Sequence, residues 1–127
     1  MPTDQPPTSE TQIRVIIGET VLTGQLWDNA TARDLIAQLP LTLTFSDYGR
    51  QEKLAPLPRK LSTEGVPPGN SARPGDIGYY APAGVLVFYY RDVGYFNGIV
   101  RIGQFDSNMN AITRQTGDFT AKIELTP

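Results

Sequence analysis

The stretch that decides the fold is GDIGYYAPAGVLVFYY, residues 75–90. Its two runs, IGYY and VLVFYY, are rich in the β-branched and aromatic residues that favour strands, and only APAG separates them. Successive side chains of a strand point to opposite faces, so each run sends one tyrosine to either side. Because both faces are apolar, we expect one face to lie inside a barrel or sandwich and the other to be covered by a helix or a loop.

Further strands are predicted on both sides of this stretch. Alternating apolar and polar residues in LTLTFS (41–46) and FTAKIELT (119–126) are typical of strands with one buried face. The run QIRVIIGETVLTGQL (12–26) predicts an antiparallel hairpin, and YFNGIVRIGQF (95–105) predicts more strand. At least seven short strands in this chain favour a closed barrel or a compact sandwich, because closure removes exposed sheet edges.

One short amphipathic helix is predicted in NATARDLIAQLP, residues 29–40. Thr31 stands three residues before Asp34, as in a capping box, and Pro40 ends the pattern. Trp27, the lone tryptophan, lies two residues before this segment begins. We expect Trp27 to anchor the helix to the barrel.

The chain divides into a tail and one domain. Residues 1–11 are rich in Pro, Thr and acidic residues, so we expect a flexible tail there and a single barrel domain over residues 12–127. No apolar run approaches the roughly 20 residues of a membrane helix, and the chain does not begin with a signal peptide. We therefore expect a soluble cytoplasmic protein with no membrane contact; the alternative is an exported mature form that has lost its signal.

Composition excludes several kinds of chemistry. The net charge is −2 and the 11 Lys and Arg residues are scattered, which argues against nucleic acid as a partner. The chain has no His and no Cys, so it has no Ser-His-Asp triad, no Cys-His pair and no thiolate or imidazole metal site. Phosphate-loop and EF-hand motifs are also missing. We expect no metal and no cofactor, although a flavin could rest on aromatic side chains without such a motif.

Three segments carry a resemblance to a known family. FSDYGRQEKLAPLP (45–58), PRKLSTEGVPPG (58–69) and PGDIGYYAPAGVLVFYYRDVGYFNGIVRIGQF (74–105) resemble the prokaryotic cyclophilin-like fold family, small proteins of uncharacterised biochemical function. The resemblance implies a mainly all-β fold, a closed antiparallel β-barrel of about eight strands with one or two short helices. It also implies a flavodoxin-like protein as one conceivable partner. The chain departs from the family at residues 83–85, where members often carry Trp-Gly-Asn.

Two groups of residues are candidates for a ligand site. Arg59 and Glu64 flank the start of a long irregular loop, residues 62–76, and a guanidinium there could bind a carboxylate or a carbonyl. The alternative is a surface ion pair with Glu64 or Glu52. An outward aromatic patch from the tyrosines at 79, 80, 89 or 90, joined by residues 95 and 96, could bind a peptide or a planar ligand; the alternative is packing. The candidate ligand-binding residues are Arg59, Glu64, Tyr79, Tyr80, Tyr90, Tyr95 and Phe96.

The sequence favours a non-catalytic binding or accessory module whose ligand is an unknown peptide, protein or small molecule. The alternative is a peptidyl-prolyl isomerase with an atypical site, in which Arg59 would donate to the prolyl nitrogen as amide resonance is lost. The cyclophilin-like resemblance motivates this alternative. Catalytic cyclophilins carry a Phe-His-Arg segment, however, and this chain has no histidine. The prediction therefore leans away from an enzyme.

Overall fold

Ten strands and two short helices make up residues 10–127, the part of the chain that this computed structural model describes. In chain order the elements are β1 (Thr11–Ile17), β2 (Thr20–Leu26), α1 (Ala30–Ile36), β3 (Leu41–Tyr48), β4 (Glu52–Pro56), β5 (Gly69–Ala72), β6 (Asp76–Tyr80), β7 (Val85–Tyr89), β8 (Val93–Asn97), β9 (Ile99–Phe105), α2 (Asn110–Thr113) and β10 (Phe119–Leu125). The predicted tail, residues 1–11, lies almost wholly outside the described residues, and Thr11 already belongs to β1.

Eight of the strands close into an antiparallel barrel in the order β1-β10-β3-β4-β7-β6-β9-β2. The predicted fold class, a closed barrel of about eight strands with one or two short helices, is confirmed. The remaining strands, β5 and β8, pair with each other outside the barrel. Neither helix in residues 10–127 is long and apolar enough to span a membrane.

Phenylalanines fill the barrel interior. The ring of Phe45 stacks on Phe88 with centroids 4.5 Å apart and on Phe119 with centroids 5.5 Å apart. Phe105 meets Phe88 edge-on, with centroids 5.0 Å apart. These rings come from β3, β7, β9 and β10, so the alternating apolar residues of the sequence point inward as predicted. Leu125 is an exception, because it is exposed at the end of β10.

Helix α1 begins differently from the prediction. Its N-cap is Asn29, whose side-chain oxygen accepts a 2.8 Å hydrogen bond from the Ala32 backbone N–H. The predicted capping box is therefore wrong: Thr31 is buried in the first turn and its hydroxyl donates to the Ser62 carbonyl. Asn ranks above Thr as an N-cap residue, and capping from Asn29 leaves the Asp34 carboxylate available to other partners.

Trp27 is held by β9. Its backbone N–H donates to the Ile102 carbonyl over 2.7 Å, and the Arg101 guanidinium lies 5.2 Å from the centroid of its ring. The Asn29 side chain also donates to the Arg101 carbonyl, over 3.1 Å. The segment that leads into α1 is thus attached to the barrel wall, as expected for an anchor at this position.

The two-stranded sheet of β5 and β8, which we call the arm, covers part of the outer barrel surface. The predicted irregular loop contains β5, and β8 turns back into β9 at Gly98, whose φ is 100°. The Gly98 N–H donates to the Pro68 carbonyl and its carbonyl accepts from Ala81 N–H, over 2.8 and 2.9 Å. These bonds fix the arm against the β6–β7 turn, so the arm covers part of the outer apolar face.

Candidate functional site

A groove of about 550 Å³ lies between the arm and the outer face of the barrel. This volume is in the range of small-molecule sites, roughly 300–1,000 Å³. Strands β3, β4, β6, β7 and β9 supply the barrel side, and Val93 and Phe96 of β8 supply the arm side. The lining residues are Tyr48, Gln51, Glu52, Leu54, Tyr80, Ala83, Val85, Tyr89, Val93, Phe96 and Ile99.

Strand register explains why these residues meet. Tyr48 of β3 lies opposite Glu52 of β4, and Glu52 lies opposite Tyr89 of β7. Directly opposite residues of antiparallel strands share one face of the sheet. A phenol, a carboxylate and a second phenol therefore form a row across three neighbouring strands. Tyr80 of β6 joins the same face, because it lies opposite Val85.

Gly78 makes room for the ring of Tyr89. A Cβ at residue 78 would lie 2.7 Å from Tyr89 Cε2 and 3.1 Å from the Val100 carbonyl oxygen. The Tyr89 ring thus occupies the space that a side chain on β6 would otherwise fill, and Tyr89 is buried. A glycine in the middle of this strand leaves room for the Tyr89 ring close to the backbone at the base of the groove.

The sides of the groove are aromatic and partly exposed to solvent. The Tyr80 and Phe96 rings lie 6.0 Å apart between centroids, at an interplanar angle of 42°. Phe96 is 57% exposed and Tyr48 is 61% exposed, although both line the groove. Large aromatic surfaces that a fold leaves open beside a concave site are typical of ligand contacts.

Glu52 is the acidic group of the groove. Its side chain is nearly inaccessible, with 9% of the residue exposed, and its hydrogen bond within residues 10–127 comes from Gln51 Nε2 at 3.4 Å. Burial raises the pKa of the Glu52 carboxyl, and the nearby negative charge of Asp47 raises it further. The pKa of Tyr89 is also raised, first by burial and then by the charge of Glu52. The groove therefore places an acid and a phenol in a weakly solvated, aromatic setting.

Tyr90 belongs to a separate polar cluster at the barrel end. Its hydroxyl donates to Asp47, whose Oδ1 also lies 3.2 Å from Lys53 Nζ. Lys53 Nζ donates in turn to the Gln115 carbonyl over 2.9 Å. Burial and the Asp47 hydrogen bond raise the pKa of Tyr90 to about 12, and the Tyr90 hydroxyl lowers the pKa of Asp47. This cluster is internally satisfied, and Tyr90 is not among the groove residues.

Arg59 forms an ion pair with α1. Its guanidinium binds Asp34 through two hydrogen bonds, Nη2 to Oδ1 at 2.6 Å and Nη1 to Oδ2 at 3.1 Å. The Ser62 N–H donates to the same carboxylate over 2.8 Å. These bonds, led by the one from Arg59, lower the pKa of Asp34. The pair fixes the start of the long loop on α1, with Asp34 in place of the glutamates that the sequence suggested.

The predicted site residues lie in several separate parts of the structure. Tyr80 and Phe96 line the groove, while Tyr95 is their exposed neighbour on β8 and does not line it. Glu64 is exposed on the long loop. Tyr79 is 1% exposed inside the barrel, where its hydroxyl accepts a hydrogen bond from Leu61 N–H over 3.0 Å, so it contributes nothing to an outward patch.

Sequence reasoning missed the row of Tyr48 and Glu52 beside Tyr89. A signal for it was present, because Tyr48 and Glu52 flank a tight turn at Gly49, whose φ is 63°, and Arg50, whose φ is 57°. Residues that flank such a turn lie opposite each other in a hairpin. The distance from this hairpin to Tyr89 depends on the pairing of β4 with β7, which the local sequence does not specify.

Comparisons with known proteins agree with this architecture. A profile of the cyclophilin-like family matches residues 15–124. The chain belongs to the cyclophilin-like family. Among solved structures, it is similar to the solution structure of the hypothetical protein AF2241 from Archaeoglobus fulgidus, with a TM-score of 0.66, 14% sequence identity, and coverage of 97% of this chain and 98% of that one. At this identity the likeness concerns the fold alone. A comparison with curated proteins returned no significant match.

Proposed function

We propose that this cyclophilin-like barrel is a non-catalytic binding module that holds a small ligand in the groove beneath the arm. The observation that carries the proposal is the groove itself, about 550 Å³ in volume, with exposed aromatic rings beside a buried carboxylate. Ligand sites combine a mostly apolar lining with a few polar groups that fix orientation. Here Tyr80 and Phe96 are the apolar contacts, and Glu52 is the orienting group.

A small ligand suits this groove better than an extended peptide or a partner protein. The exposed apolar side chains near it, Tyr48, Tyr95 and Phe96, are few and lie in one region, so the apolar surface offered to a large partner is small. The Arg59 and Glu64 region is a less favourable place for the ligand, because the Arg59 guanidinium already binds Asp34.

A fragment titration followed by amide chemical shifts tests this proposal. We expect small aromatic fragments, tried as neutral, cationic and anionic forms, to shift amides of residues 48–54, 80–89 and 93–99. The variant Phe96→Ala should weaken the response, while Leu125→Ala, which truncates an exposed side chain on β10, should leave it unchanged. Shifts confined to residues 59–64, or none in the groove with any fragment, would contradict the proposal.

Isomerase activity is the second candidate, and the exposure of Arg59 favours it. The Arg59 side chain is 55% exposed, so a peptide could reach it. An isomerase role requires the guanidinium to leave Asp34 and donate to a prolyl nitrogen. We expect NMR exchange measurements on a short proline peptide to give the uncatalysed rate. Strong acceleration by the natural protein that Arg59→Ala abolishes would instead establish the isomerase and displace the binding module.

A further inference from the structure

Glu52 differs from the other buried acid of the fold. Asp76 is fully buried, and Arg101 neutralises it through an Nε–Oδ2 contact of 3.0 Å. Glu52 is nine-tenths buried, yet no Lys or Arg of residues 10–127 forms an ion pair with it, and the Gln51 amide is its hydrogen-bond donor. A buried carboxylate without a cation is costly, so such groups in proteins are paired or serve a site.

The neighbouring cation in the chain does not neutralise Glu52. Lys53, the next residue in β4, points to the opposite face of the sheet. Its Nζ is already held by Asp47 at 3.2 Å and by the Gln115 carbonyl at 2.9 Å. Since no Lys or Arg of residues 10–127 forms an ion pair with Glu52, the groove leaves its carboxylate open to a positive charge on a ligand.

From this we infer that the groove binds a small organic ammonium ion, with the cationic nitrogen at the Glu52 carboxylate and an apolar body against the rings of Tyr80 and Phe96. The inference rests on the proposed binding function and specifies its ligand class. It assigns Glu52 as the residue that discriminates by charge, whereas the aromatic rings contribute affinity for any flat or apolar group.

The surroundings of Glu52 suit an ammonium ion for two physical reasons. A charge-assisted hydrogen bond between an ammonium and a carboxylate is stronger than a neutral one, especially where water is largely excluded. In addition, the faces of aromatic rings attract cations, and Tyr48 and Tyr89 flank Glu52 in the strand register. Neither effect helps an anion, which Glu52 would repel.

Ammonium binding favours the ionised form of Glu52. The titratable groups near Glu52 are Tyr48, Tyr80 and Tyr89, which line the same groove, and Asp47, whose charge acts on it. Because burial raises the pKa of Glu52, its carboxylate is protonated at a higher pH than that of an exposed glutamate, and protonation removes the charge that the ammonium needs. Affinity for the cation should therefore fall as the pH is lowered, while affinity for a neutral ligand should not.

Calorimetric titration with three probes of similar shape tests the inference: benzylammonium, benzyl alcohol and benzoate. We expect benzylammonium to bind most tightly and benzoate most weakly. Glu52→Gln should weaken benzylammonium by about tenfold or more and weaken benzyl alcohol much less. The matched control Glu19→Gln removes an exposed carboxylate from the β1–β2 turn and should change none of the three affinities.

The outcomes separate this inference from the proposed function. If all three probes bind the groove equally, or if Glu52→Gln leaves benzylammonium unaffected, the cation specificity is refuted while the binding groove stands. If no probe perturbs the groove amides, the proposed function itself fails. Should Glu52→Gln not fold, the natural protein still decides the matter, because benzylammonium affinity that is constant from about pH 7 to about pH 4 would overturn the role of Glu52.

Discussion

The two faces of strands β6 and β7 carry similar side chains but have different surroundings. On the inner face, Tyr79 and Phe88 are enclosed on all sides by the strands of the barrel. On the outer face, Tyr80 and Tyr89 are covered by the arm alone. The arm has four residues in β5 and five in β8, and it leaves the groove between itself and this face. The same alternating sequence thus gives a core on one side and a candidate site on the other.

The largest expected effect compares one truncation on the two faces. Phe88→Ala removes a ring that packs against Phe45 and Phe105, so it should lower the free energy of unfolding by about 3–5 kcal/mol. Phe96→Ala removes the same ring from a partly exposed position and should cost less than about 1 kcal/mol. Urea unfolding measures both values. Equal losses would show that the two faces are packed alike.

A glycine pair tests the base of the groove. Gly78→Ala would place a Cβ 2.7 Å from Tyr89 Cε2, so the Tyr89 ring must shift and the free energy of unfolding should fall by roughly 1–3 kcal/mol. Gly94→Ala adds the same methyl group to the arm, where no atom lies within 4 Å of it. Urea unfolding should show little change for Gly94→Ala. If Gly78→Ala leaves the free energy of unfolding unchanged, the Tyr89 ring has room to move.

The cost of burying Glu52 should appear as a pH-dependent stability. Its folded pKa is raised, so the ionised carboxylate destabilises the fold above that pKa, and the penalty disappears below the unfolded pKa. Without ligand, Glu52→Gln should raise the free energy of unfolding by about 1 kcal/mol near pH 7, with the gain lost toward about pH 4.

Glu19→Gln is the control for this measurement, because Glu19 is exposed on the β1–β2 turn. Its unfolding curves should match those of the natural protein at each pH. If Glu52→Gln instead destabilises the protein at neutral pH, the carboxylate has a stabilising partner and the account of the groove needs revision.

The smallest expected effect concerns the Arg59 ion pair. Because Arg59 lowers the folded pKa of Asp34, its stabilising contribution is present above the unfolded pKa of that acid and is lost as the pH falls through the folded pKa. Arg59→Ala should therefore lower Tm slightly near neutral pH, less than the changes above, and the difference should shrink in acid and in high salt. A loss of stability as large as that of Phe88→Ala would mean that the Arg59–Asp34 ion pair is a main contributor to the stability of the fold.

The fold was largely predictable because strand alternation is a local property of the sequence. The segment 119–126 predicts an inward row, and β10 places Phe119 and Ile123 in the core. The helix start was mispredicted because Asn29 and Thr31 can both cap a helix, and the choice depends on contacts with distant residues such as Ser62. Such contacts are not visible in a short stretch of sequence.

The candidate site was predictable only in part. Alternation indicates that residues 79 and 80 point to opposite faces, but it does not tell which face is enclosed by the barrel. Tyr80 therefore entered the prediction together with Tyr79, although the two lie on opposite sides of the wall. The neighbourhood of Glu52 depends on the pairing of β4 with β7, which joins residues far apart in the chain.

Intermolecular NOEs between bound benzylammonium and the protein side chains test most directly whether the outer face of β6 and β7 beneath the arm is a binding site. We expect contacts from the benzyl ring to the rings of Tyr80 and Phe96. The benzyl methylene, which carries the nitrogen, should lie closest to Glu52. Contacts to residues 59–64 alone, or binding without any contact to the groove, would contradict this expectation.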